Sequence, residues 1–110
     1  MKRNNEIDYL AQRDGDTCGI CKQSLRSELA AHKTFIWQSK LGTKNTVKRK
    51  HIDLSIDHIV PKHRFKWNAN VKHIGNMPAN KQLAHRHCNR KKGNKCGYKD
   101  WLKLAITLFR

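Results

Sequence analysis

The chain has 110 residues, with 24 Lys and Arg against 8 Asp and Glu for a formal charge of +16, and 37% of its residues are hydrophobic. A chain this short is expected to form one domain, residues 1–110, around a modest core that a covalent or metal staple would reinforce. The charge points to a polyanionic partner, and no apolar run of spanning length or lipid-anchor signal favours a membrane.

In chain order, Met1-Lys2-Arg3-Asn4-Asn5 runs into Glu6 and Asp8 rather than an apolar signal region, so an intracellular, cytoplasmic protein is expected. In a reducing compartment four cysteines, two of them in Cys18-Gly19-Ile20-Cys21, read as metal ligands rather than disulfides. Ile7, Leu10 and Ala11 are spaced for a helix from Asn5 to about Arg13, with Asn4 or Asn5 as N-cap and Gly15 as its stop. A brief helix is expected over 24–31 and a strand or loop anchor over 34–37. The basic, turn-prone stretch 39–51 reads as an exposed loop or hairpin, either a solvated linker or a phosphate-contacting arm.

Ile52, Leu54 and Ile56 alternate with Asp53, Ser55 and Asp57, the period of a half-buried strand, and Pro61 ends it. Asp57 and His58 thus fall at the strand's end, where both side chains can turn toward one site. Residues 62–79 read as a loop anchored by Phe65, Trp67, Val71, Ile74 and Met77. A short strand over 82–85 and a helix from Asn89 to about Lys92, closed by Gly93, follow. The last helix, about 99–109, carries a broad apolar face for the core or a dimer contact, so monomer and homodimer both stand open. From His58 to Lys99 there is no acidic residue.

Structural zinc is held by four Cys or His ligands, commonly paired on two tight turns. Cys18-x-x-Cys21 and His85-x-x-Cys88 fit that rule, with His87 and Cys96 as the neighbouring alternatives. Asp57 and Asn89 offer hard oxygen atoms suited to Mg²⁺ or Mn²⁺. His58 titrates near neutral pH and can accept a proton from water beside a scissile phosphate. Together these are the parts of a one-metal phosphodiesterase.

Asp57-His58-Ile59-Val60-Pro61, the later Asn80, and His85-Arg86-His87-Cys88-Asn89 resemble the HNH endonuclease family, specifically its small zinc-containing type. The resemblance covers about residues 16–95. It implies an α+β fold with a ββα-metal (HNH, His-Me finger) core, a structural zinc knuckle and flanking helices. It further implies a metal-dependent endonuclease that hydrolyses or nicks DNA phosphodiester bonds and leaves 5′-phosphate ends. By it His58 is the general base, Asp57 and Asn89 hold the catalytic divalent ion, and Asn80 fixes the loop between the strands. Asn89 stands at the motif's last position, and His85 where Cys is commoner. Arg86, Arg90, Lys91, Lys92 and Lys95 are the expected DNA phosphate contacts, and the family occurs in phage, mobile-element and restriction enzymes. A non-catalytic zinc module that binds nucleic acid would share the charge and the knuckle without requiring Asp57, His58 and Asn89 together.

Overall fold

The computed structural model describes residues 3–44 and 46–109, Arg3 by its backbone alone. Met1 and Lys2 ahead of the expected first helix, Asn45 in the expected loop, and Arg110 lie outside the described residues. The chain is α+β: helices α1 (Arg3–Asp14) and α2 (Arg26–Leu41), strands β1 (Ser55–His58) and β2 (Lys81–Ala84), then helices α3 (Arg86–Lys92) and α4 (Tyr98–Leu108). Short 3-10 turns at Arg49–His51, Lys62–Phe65, Lys72–Asn76 and Pro78–Asn80 fill the connections. Among the described residues no helix is long and apolar enough to cross a membrane.

Helix α1 buries Ile7 and Leu10 on one face and stops where Gly15 adopts φ +80°, its N–H bonding the Ala11 carbonyl. Left-handed backbone of this kind suits Gly at a helix end. The same helix docks on the entry to β2. Arg13 donates to the carbonyls of Pro78 (2.8 Å) and Lys81 (2.6 Å), and Lys81 pairs with Glu6 at 2.8 Å.

Residues 24–41 depart from expectation. The brief helix and the separate strand or anchor at 34–37 are one helix, α2, ended by Gly42 in the left-handed region. Leu25 and Leu29, with His32 and Ile36, recur at helical spacing, and the buried or half-buried stripe they form outweighs the local β propensity of Thr34-Phe35-Ile36-Trp37.

The two strands pair antiparallel with Asp57 opposite Gln82 and His58 opposite Lys81. Ile52 and Leu54 face a core shared with Ile7, Leu10, Cys18, Leu25, Leu83, Ala84 and Cys88. The alternate residues Asp53, Ser55 and Asp57 face α3 instead. A second, smaller core joins Val60, Phe65 and Leu104, and Trp101 meets Phe65 edge to face at 5.4 Å. Helix α4 therefore packs through Leu104 and Trp101, whereas Leu102, Ile106 and Phe109 remain exposed. Trp67, expected as a loop anchor, is 75% exposed, and Phe65 holds that segment down.

Candidate functional site

The turn after α1 brings Cys18 and Cys21 against the start of α3, where His85 and Cys88 stand one turn apart. The four ligand atoms all lie within 4.8 Å of one another. Zn–S bonds of about 2.3 Å at tetrahedral angles separate ligand atoms by roughly 3.7 Å, so little movement is needed to close the set. These residues can hold a metal ion, and three thiols with one imidazole are compatible with a structural zinc. His85 turns Nδ1 to the sulfurs, 3.4 Å from Cys21 Sγ and 3.9 Å from Cys88 Sγ. Its Nε2 lies 3.6 Å from Glu28 Oε1, the outer carboxylate that commonly orients a ligating imidazole.

The alternatives left by the sequence separate here. His87 turns Nδ1 to Asp53 Oδ2 at 2.5 Å and reaches only Cys88 Sγ, 3.5 Å from its Nε2, outside the four-residue cluster, and Cys96 packs by the second core. Asp53 also accepts the His87 backbone N–H at 3.0 Å, satisfying a donor in the first turn of α3.

The thiols differ in acidity. Burial opposes ionisation of Cys18, but backbone N–H groups of Cys21, His85 and Ile20 prevail and lower its pKa to about 6. Burial, reinforced by the crowding of Cys21 and Cys18, pushes Cys88 up to about 12. Three thiolates packed together repel, and a divalent cation removes that conflict.

On the far side of β1, a cleft of about 410 Å³ is bordered by Asp57, His58, Pro61, Lys62, Lys66 and Asn89, among others. Asp57 and His58 share it although they are neighbours on a strand, because the strand ends at His58 and the chain turns through Val60 and Pro61. Asn80 fixes that turn. Fully buried, it accepts the Val60 N–H at 2.9 Å and donates to the carbonyls of Val60 (2.9 Å) and Gly75 (3.0 Å). Its own carbonyl accepts the Ile59 N–H at 2.8 Å.

Nε2 of His58 is buried without a hydrogen-bond partner among the described residues. Burial first, then Lys62 and Lys81, lower the His58 pKa below its ordinary value of 6.5, against smaller opposing effects of Asp57 and Asn76. Burial and the two lysines both favour the neutral imidazole.

Asp57 is nearly buried and takes two bonds on Oδ2, from Gln82 Nε2 at 2.8 Å and Lys92 Nζ at 2.9 Å. Asn89 donates its amide nitrogen to Ser55 Oγ at 3.1 Å. Of the basic residues expected to meet phosphate, Arg90, Lys91 and Lys95 are exposed. Arg86 donates to the Lys50 carbonyl at 3.0 Å. Lys92 is turned inward, donating also to the carbonyls of His58 (2.8 Å) and Ile59 (2.9 Å). Its placement follows from α3 lying along β1: residues 53, 55 and 57 on one strand face meet 87, 89 and 92 on the helix.

Sequence reasoning passed over Gln82, Asp53 and Glu28. The first two had a signal, since Gln82 lies across the strand pair from Asp57 and Asp53 shares its face by the two-residue period; Glu28 had none. No protein-family model, curated protein or solved structure matches the chain. Function therefore rests on the site itself.

Proposed function

We propose that the chain is an HNH-type, metal-dependent endonuclease acting on DNA, with β1, β2 and α3 as its ββα-metal core. The observation that carries this reading is the shared cleft, where a neutral imidazole with an unpartnered Nε2 stands beside a carboxylate and an amide oxygen. A structural cluster alone requires none of these.

Asp57 and Asn89 would hold the catalytic ion. Both hydrogen bonds to Asp57 fall on Oδ2 and Asn89 commits its nitrogen to Ser55, so an oxygen of each stays available toward the cleft. One carboxylate and one neutral oxygen suit Mg²⁺ or Mn²⁺, which retain waters and take further oxygens from phosphate. When bound, the ion supplies positive charge to the phosphate and the leaving oxygen. His58 takes a proton from water at its unprotonated ring nitrogen as the water oxygen bonds to phosphorus. The bond from phosphorus to the 3′ oxygen breaks, that oxygen takes a proton from solvent, and the products carry 5′-phosphate and 3′-hydroxyl ends. Arg90 and Lys91 on α3 and Lys95 just beyond it, with Lys62 and Lys66 at the cleft, position the backbone without reading bases.

The test is nicking of supercoiled plasmid by purified wild type and His58→Ala, each with EDTA, Mg²⁺ or Mn²⁺. Metal-dependent nicking by wild type and its loss by at least about a hundredfold in His58→Ala, with unchanged zinc content, is expected. Equal nicking by both proteins removes His58 as base. DNA binding without nicking by either assigns the chain to the non-catalytic zinc modules.

A further inference from the structure

We propose that Gln82 and Lys92 are positioning residues that clamp Asp57 Oδ2 and so present Oδ1 alone to the cleft as the metal-facing atom; this rests on the nuclease reading above. Two other elements converge on this carboxylate of β1. Gln82 reaches it across the strand pair from β2, and Lys92 reaches it from the last turn of α3. The lysine is deeply engaged, with its side chain 12% exposed against 3% for that of Asp57.

The donor pattern leaves Gln82 one orientation. Lys103 of α4 places its ammonium against Gln82 Oε1 and also donates to the Gly19 carbonyl in the cysteine turn at 3.4 Å. An ammonium only donates, so it selects the amide oxygen and turns the Gln82 nitrogen toward Asp57. A continuous polar chain, Lys103 to Gln82 to Asp57 to Lys92, thus ties α4 and the cysteine turn to the cleft. Lys92 adds a second constraint by holding the carbonyls of His58 and Ile59, which fixes the backbone that carries the base.

The clamp has a distinctive consequence. Lys92 supplies a positive charge next to the proposed ion, so it opposes ion binding while it orders the residues that use the ion. Removing it strengthens binding and weakens turnover. A residue serving only stability would weaken both.

The experiment uses zinc-loaded, full-length wild type, Lys92→Gln and Gln82→Glu. Mn²⁺ affinity without DNA is read from the electron paramagnetic resonance signal of the free ion, and plasmid nicking is measured at saturating Mn²⁺. Thermal melts and zinc content accompany both. Gln82→Glu keeps an acceptor for Lys103 and loses the donor to Asp57, so it carries the test should Lys92→Gln fail to fold. Both variants are expected to bind Mn²⁺ about tenfold more tightly and to nick at least about tenfold more slowly. Lys92→Arg, which keeps charge and donors, returns the affinity toward wild type. Unchanged or weaker Mn²⁺ binding in the folded variants overturns the clamp while leaving a nicking wild type as a nuclease. A wild type that neither binds Mn²⁺ nor nicks overturns both readings.

Discussion

The His58 environment sets the pH at which a base of this kind works. Burial and two lysines hold its pKa below 6.5, and only the neutral ring accepts a proton. The nicking rate should therefore rise with pH along an acid limb whose midpoint lies below the ordinary imidazole value of 6.5. Lys62→Gln removes one of the charges that oppose protonation and should move that acid limb to higher pH, measured as the rate profile at saturating metal. Asn80 is the structural counterpart. Asn80→Ala leaves the Val60 N–H and the Val60 and Gly75 carbonyls without their side-chain partner, at a cost of about 2–4 kcal/mol in a denaturant titration. The sequence made His58 legible as a titratable group beside hard ligands, but the role of Asn80 came only through the family resemblance, because a buried asparagine leaves no periodic trace. The inward turn of Lys92 had no trace either: at the end of a basic run it is chemically indistinguishable from Lys91 until α3 is laid along β1.

At the scale of elements, the cysteine turn and α3 depend on each other. Cys18 and Cys21 come from one, His85 and Cys88 from the other, and the main core also includes Cys18 and Cys88. Cys21→Ala should lower bound zinc well below one ion per chain and reduce the melting temperature by at least about 10 °C, since metal binding energy enters folding directly. Metal analysis beside a thermal melt checks both, and undiminished zinc would remove Cys21 from the ligand set. The two ligand pairs were readable because tight-turn spacing is a local property. Helix α2 was not, because Thr34-Phe35-Ile36-Trp37 favours a strand locally and only packing against the rest of the core decides for the helix. Residues 52–58 were half readable: alternation identified the buried face at Ile52 and Leu54, yet ladder bonds begin only at Ser55, where β2 is opposite.

Over the whole molecule, a charge of +16 on 110 residues favours binding to any polyanion, so affinity alone does not locate the face proposed to meet DNA. Salt dependence does. Each phosphate neutralised contributes roughly −0.9 to the slope of log K against log salt. Lys92 is committed to Asp57, and Arg86 spends a donor on Lys50. Exposed Lys62 and Lys66 border the cleft, and exposed Arg90, Lys91 and Lys95 follow its lining residues Asn89 and Asn94 in the chain. Five such contacts give a slope of about −4.5. Replacing Arg90, Lys91 and Lys95 together with Gln should bring it to about −2, measured by fluorescence anisotropy on a short duplex at several salt concentrations. The same three substitutions at Lys33, Lys40 and Lys48, which line other surface hollows and neighbour no residue of the cleft in the chain, should leave the slope near its original value. If both triple variants lose the same slope, the charge acts as a diffuse solvated surface and α3 is not the side that faces the backbone.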